Sequence, residues 1–430
     1  MIKKRCLSAS LAKVVNILSQ LGVTALLSRG LSGEAFGMCA IFAHIMLMVG
    51  LFDGGIGGGG LRNTLSTCQL KDDQKKVFLS SFYFIGLIYL LLALIYALFI
   101  QHYLHHLFVL QDVHLFNQLK TIGWVFVISI IIKVPFSIYA SGFYAFEEDD
   151  KKALIDIIES LALVFVLGLA TIFHQDFLVG FAGYYLTLSL MSCLGFGWFL
   201  KKRNWKLKKF SWTTIYKSIQ PLFKIHRAFW IQNLLSLALF SFSPYLLMRF
   251  LNLEKVGEYT LIYRACCLFL GIHFSLLNPL WVSYTKAFYN KNFMWIEKTL
   301  RQSLKLTILL FGLAALGLIF FYQPILFLWS GKQIICHEVV ILYAIWMIFY
   351  ALINCFSIFL NSVNLIQKQS LALLIGSSSN ILLGVFFSKI WSVEGVVLAS
   401  IISLLPLFFS NLIEILQLKK KVLSEQRSSY

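Results

Sequence analysis

Lys13, His44, Lys133 and Arg264 each stand inside an apolar stretch long enough to cross a bilayer. An ionisable side chain in such a place costs at least about 2.5–3.5 kcal/mol, so each needs a reason. Guanidinium and ammonium groups pair well with phosphate and carboxylate, and a set of buried cations therefore points to an anionic ligand. At about 1.5 Å of rise per residue, Lys13 lies about 8 Å and Lys133 about 12 Å from the cytoplasmic side, and Arg264 about 10 Å from the outer end of its helix. His44 lies close to the midplane. Snorkelling toward headgroups is the competing reading; it suits Lys13 well, Arg264 partly and Lys133 poorly. For His44 the competing reading is a satisfied core histidine. Asp156 and Glu159 are the acidic exceptions, just after Glu147-Glu148-Asp149-Asp150. They either serve a helix amino terminus, which favours anions, or bind a coupling ion.

Twelve apolar segments are needed to hold these residues. They run near 8–28, 35–52, 77–100, 121–141, 154–173, 178–200, 228–249, 257–281, 303–322, 338–360, 370–389 and 394–416. The composition agrees: the 430 residues are 59% hydrophobic and 13% charged, against about a quarter charged in a soluble domain. That excludes a water-soluble enzyme. The first segment follows Lys3-Lys4-Arg5 without a convincing small-x-small cleavage site, which reads as an uncleaved helix. Of the 37 Lys and Arg residues, 28 sort to one side of this layout and 6 to the other, with Lys13, Lys133 and Arg264 inside helices. By the positive-inside rule both termini are cytoplasmic. The basic run Lys201–Lys209 interleaves with Trp205 and Phe210, but a lipid surface explains it, and no nucleic-acid partner is expected.

An internal repeat organises the chain. Arg29-x-Leu31-x-x-Glu34-x-x-Gly37 recurs 220 residues later as Arg249-x-Leu251-x-x-Glu254-x-x-Gly257, and Phe136-Ser137-Ile138 recurs as Phe356-Ser357-Ile358. The offset spans six helices, an even number, which predicts parallel repeats: residues 1–220 and 221–430, with a cleft between two six-helix lobes. The basic loop joins them. His44 and Arg264 are also 220 apart. The expected fold is thus an all-α polytopic membrane protein, and the expected site is cationic: Lys13, Arg29, His44, Lys133, Arg249 and Arg264 for an anionic substrate in the cleft, with Asp156 and Glu159 as coupling candidates.

Other features read as structural. Pro135, Pro244, Pro279 and Pro406 fall within helices, where a proline kinks the chain or lets it flex. Gln232, Asn233 and Asn361 suit helix–helix hydrogen bonding. Asp53–Gly60 resembles a phosphate loop but lacks the Gly-Lys-Ser/Thr ending and a preceding strand, and reads as a mobile break. His102, His105 and His106 fall in an outer loop as solvated histidines, so no metal is expected. The eight cysteines show no C-x-x-C spacing and read as small core residues. No cofactor is expected.

Several stretches resemble polysaccharide (O-antigen) flippases of the Wzx type. They are Leu27–Gly37, Leu51-Phe-Asp-Gly-Gly-Ile-Gly57, Gly60-Leu-Arg-Asn63, Asn278-Pro-Leu-Trp-Val-Ser-Tyr-Thr-Lys-Ala287, Asn292–Glu297 and Leu328-Trp-Ser-Gly331. The resemblance runs in order over nearly the whole chain and departs from the family at 58–60, where three glycines replace a more varied stretch. It implies the multidrug/oligosaccharidyl-lipid/polysaccharide exporter fold. It also implies transfer of an undecaprenyl-diphosphate-linked oligosaccharide from the cytoplasmic to the periplasmic leaflet of the inner membrane. The implied partners are the lipid-linked oligosaccharide and membrane lipids, with a polysaccharide polymerase and ligase as further candidates. The alternatives are a multidrug/cation antiporter of the same fold, which would prefer acidic or aromatic pockets, and a membrane O-antigen polymerase or glycosyltransferase. The latter usually needs a longer outer loop than about 101–120 provides.

Overall fold

Apolar segments that leave no backbone group unpaired in lipid must be helical, and the computed structural model of the chain is helical, with no strand among the described residues. It describes residues 2–428 except 51, 53–55, 57–60, 68, 69, 101–112, 174–176, 209, 334–336 and 364. The outer-loop histidines His102, His105 and His106 and most of Asp53–Gly60 fall outside the described residues.

The helices are α1 (Ile2–Gly30), α2 (Gly33–Val49), α3 (Leu61–Thr67), α4 (Lys71–Ile95, prolonged by a π-helical turn Tyr96–Ile100), α5 (Val113–Phe136), α6 (Tyr139–Ala145), α7 (Asp149–Ile172) and α8 (Phe177–Arg203). They continue as α9 (Trp212–Ser241), α10 (Ser243–Phe250), α11 (Leu253–Tyr289), α12 (Phe293–Ser330), α13 (His337–Ser362) and α14 (Gln367–Ser428). Eight helices among the described residues are long and apolar enough to cross a membrane. One of them, α14, breaks at Trp391 and Ser392, where Ser392 takes φ 55°, and so crosses twice. With α1, α2 and α11 this makes about twelve crossings.

Two compact units divide the chain, Met1–Asn233 and Leu234–Tyr430, and the division falls inside α9. In the first unit α1 packs on α7, α5 on α8, and both α2 and α4 on α5. In the second α10 and α13 pack on α14, and both α11 and α12 on α13. The second and third crossings therefore lie against the fourth in each unit. The repeated Arg-x-Leu-x-x-Glu motif is the turn that starts the second crossing. Ser32 Oγ accepts from the Ala35 amide at 3.2 Å, and 220 residues on Asn252 Oδ1 accepts from the Lys255 amide at 2.8 Å. Glu34 and Glu254 lie in the first turns so capped, where a carboxylate complements the helix dipole.

Proline chemistry sets the bends. Pro135 lies one residue before α5 ends, and Pro244 opens α10 after the break at Phe242. Pro406 lies inside α14. Two further prolines also sit within helices. Pro221 is in α9, and Pro324 is in α12, which runs past residue 322 to Ser330 with a non-helical Phe321. Pro324 removes a donor and clashes with the carbonyl four residues back, which accounts for that kink. At the turn inside α14 a Cβ on Gly395 would lie 2.2 Å from the Phe387 carbonyl oxygen, so only glycine fits.

Candidate functional site

The first unit gathers a mixed-charge site from four helices. Lys133 approaches from α5, one turn before the Phe136–Tyr139 break, and is half-buried. The charged groups acting on it are Glu159 and Lys152 of α7. Lys152 is ion-paired with Asp156 one turn further along α7, and its ammonium lies 5.9 Å from the Tyr139 ring centre on α6. Arg62 of α3 covers the Tyr144 ring at 5.3 Å. On the neighbouring face α7 is tied to α1, since Ser19 Oγ donates to the Ser160 carbonyl at 2.6 Å and Asn16 Nδ2 to Ser160 Oγ at 3.4 Å.

Spacing along the chain does not show which carboxylate Lys133 meets, and in the structure it is Glu159. α7 presents Asp156 and Glu159 on neighbouring turns, and each has a lysine to answer it. The arrangement holds cations and carboxylates in near balance.

One end of the same unit, where α8 closes on the turn before α7, is pinned by Glu148. It receives Lys202 at 2.7 Å and Arg203 at 2.8 Å, and the Arg203 guanidinium stacks 3.8 Å above the Phe146 ring. Trp205 of the basic loop packs against Phe78, Phe146 and Phe199. The loop is thus partly folded onto its own unit.

In the second unit Arg264 is half-buried on α11 and acts on Cys267 one turn below. His44 occupies the same place on α2, eleven residues after each helix begins, and is also half-buried. Tyr263 beside Arg264 belongs to an aromatic group with Tyr259, Tyr343, Trp346 and Tyr350. Tyr259, Tyr263, Tyr343 and Trp346 line a small cavity together with Ser243 and Ser400. Ser243 and Ser400 hydroxyls lie 3.2 Å apart, and Asn380 Nδ2 donates to Ser400 Oγ at 3.1 Å. Lys332, on the connection after α12, has its ammonium pushed below its ordinary value by burial, against the opposing pull of Glu254 and Glu258.

Arg29 and Arg249 are exposed in the last turns of α1 and α10, where a cation complements the carbonyl end of a helix. Lys13 belongs to α1, but its side chain lies outside the described residues. The sequence-predicted residues therefore separate by unit. Lys133, Asp156 and Glu159 come together, whereas Arg264 lies in the other unit, on α11. Lys152, Tyr139, Tyr144 and Arg62 escaped the sequence reading because they fall next to turns, where charge and aromaticity are ordinary.

A family profile described as polysaccharide biosynthesis protein matches residues 2–281. No curated protein matches the chain. Among solved structures, the chain is similar to a lipid II flippase MurJ in an inward closed conformation, at 16% identity and a TM-score of 0.71 over 96% of this chain and 87% of that one. It is similar to an inward-facing multidrug resistance MATE family transporter of the MOP superfamily, at 11% identity and a TM-score of 0.72 over 96% of each chain. A MOP superfamily transporter from Pyrococcus furiosus aligns at 13% identity and a TM-score of 0.64, over 98% of this chain and 96% of that one. At these identities the likeness is one of fold.

Proposed function

Since the chain belongs to the polysaccharide biosynthesis protein family, we propose that it is a flippase. It carries an undecaprenyl-diphosphate-linked oligosaccharide, an O-antigen or related surface-polysaccharide unit, from the cytoplasmic to the periplasmic leaflet of the inner membrane. The observation that carries this reading is Lys133, an ammonium held half-buried on a spanning helix beside Lys152. A diphosphate offers such groups a better partner than a lone carboxylate, because its oxygens accept several charge-assisted hydrogen bonds at once. In this account Lys133, with Lys13, His44, Arg264, Arg29 and Arg249 along the path, meets the diphosphate or acidic sugars. Asp156 and Glu159 take the place of the anion when the substrate leaves and are the groups through which a cation couples to the movement. An antiporter for cationic drugs would leave its carboxylates available, and here both have lysine neighbours.

The test is leaflet-specific labelling. Cells lacking the protein should hold their lipid-linked oligosaccharide inaccessible to a lectin added to spheroplasts and accessible in inverted vesicles. Wild-type protein should restore outer exposure, and Lys133→Ala should not. Normal outer exposure in the deletion strain overturns the reading.

A further inference from the structure

His273 of α11, Thr307 of α12 and Cys355 of α13 meet at one point inside the second unit, and neither the anionic-substrate site nor the coupling carboxylates use them. Nε2 of His273 lies 2.8 Å from Thr307 Oγ1, Thr307 Oγ1 lies 3.2 Å from Cys355 Sγ, and Cys355 Sγ lies 3.8 Å from His273 Nε2. All three are buried: His273 is 4% exposed and Thr307 and Cys355 2% each. The shell is apolar, with Leu277, Ile358 and Phe359 in the same cluster as Cys355 and the Phe311 ring 4.9 Å from the imidazole. We propose that His273, Thr307 and Cys355 form a binding site for a monovalent thiophilic cation of the copper(I) class.

The distances suit a bridging ion. With bond lengths like those of zinc, about 2.3 Å to sulfur and about 2.0–2.1 Å to imidazole nitrogen, the 3.8 Å sulfur–nitrogen separation is spanned at an angle of about 120°. The Thr307 oxygen then completes a third, weaker position. Thiolate and imidazole are the soft and borderline donors that select copper(I) over magnesium or calcium. Charge decides the valence. Binding replaces the thiol proton by the ion, Cys355–SH plus M⁺ giving Cys355–S–M plus H⁺, with the proton released to water. The loaded site is neutral. A divalent ion would leave one positive charge in an apolar shell, and among the described residues no carboxylate acts on His273 or Cys355 to offset it. Nδ1 of His273 makes no hydrogen bond among the described residues, so it is free to carry the ring proton while Nε2 presents its lone pair. No group of three His, Cys, Asp or Glu side chains forms among the described residues; this site has two such ligands and a hydroxyl.

The experiment is anaerobic titration of the purified full chain with copper(I) buffered by a competing chelator. Cys355→Ser should lose one tight equivalent. His273→Gln should weaken that equivalent at least tenfold, and Cys266→Ser, a buried cysteine on α11 away from the trio, should keep it. Copper should also raise the melting temperature of the wild type and of Cys266→Ser but not of Cys355→Ser. Retention of every equivalent in Cys355→Ser, or unchanged affinity in His273→Gln, overturns the proposal. X-ray absorption on the wild type loaded with one equivalent decides the matter without any variant. A mixed shell of one sulfur and nitrogen or oxygen is expected, and a sulfur-only or sulfur-free shell refutes it.

Discussion

Replacing Lys133 tests whether the first-unit charges are there for transport or for folding. Removing one member of a buried ion pair costs about 3–5 kcal/mol, largely because the other charge is left unanswered. Lys133 and Glu159 are half-buried and interact without closing an ion pair, so the expected cost is smaller, on the order of 1–3 kcal/mol. Lys152 cannot take over in full, because it already pairs with Asp156. Against a typical stability of about 5–15 kcal/mol, such a loss lowers the amount of protein without abolishing it. Lys133→Ala should therefore reach the membrane at a reduced level and lose glycan display out of proportion to that level. Lys133→Met combined with Glu159→Gln removes both charges while preserving shape. It should recover the membrane level and leave display absent. The assay is glycan display measured beside protein quantity in the same membranes. Recovery of display in the double variant would refute a substrate role and make the pair purely structural.

Three further outcomes follow from particular contacts. Ser32→Ala and Asn252→Ala remove equivalent caps, and each should destabilise the purified protein by about 1 kcal/mol, read as similar falls in melting temperature; a large difference between them would deny the equivalence of the two turns. Gly395→Ala forces a Cβ onto the Phe387 carbonyl and should deplete the protein from membranes. Gly86→Ala on α4 meets nothing within 4 Å and should be neutral or stabilising by up to about 1 kcal/mol, so equal behaviour of the two glycines would refute the close-approach argument. Reporter fusions after Lys208 and Lys421 should report cytoplasm and those near His105 and Lys332 periplasm; a periplasmic carboxyl terminus would overturn the twelve-crossing layout.

Much of the fold was legible because burial in lipid leaves a coarse signal. Apolar runs separated by charges gave the crossings, and the Arg-x-Leu-x-x-Glu repeat marked two equivalent turns whose caps are Ser32 and Asn252. The turn at residues 391–392 fell inside the gap expected between the last two segments. Helix extent was less legible. α9 begins at Trp212 and α12 continues to Ser330, since helices do not stop where hydropathy does. The kink at Phe321 escaped because Pro324 lay beyond the expected end of its segment. Side-chain meetings were legible only in part. Successive helical residues rotate by about 100°, so which residue faces which neighbour depends on packing angles that one sequence does not state. Glu159 could be noted, but not that α7 turns it toward Lys133. Cys355 reads as a small core residue, and nothing in the spacing of His273 places it beside Thr307 before α11, α12 and α13 pack together.

Reconstitution tests the central claim most directly. Purified protein in vesicles should move a diphosphate-linked polyprenyl oligosaccharide from the inner to the outer leaflet, scored by its exposure to an added lectin. Wild-type vesicles should approach equal exposure of both leaflets, and Lys133→Ala vesicles should remain near the protein-free baseline. Equal transfer by the two proteins, or none by the wild type at matched density under an imposed cation gradient of either sign, would contradict the account.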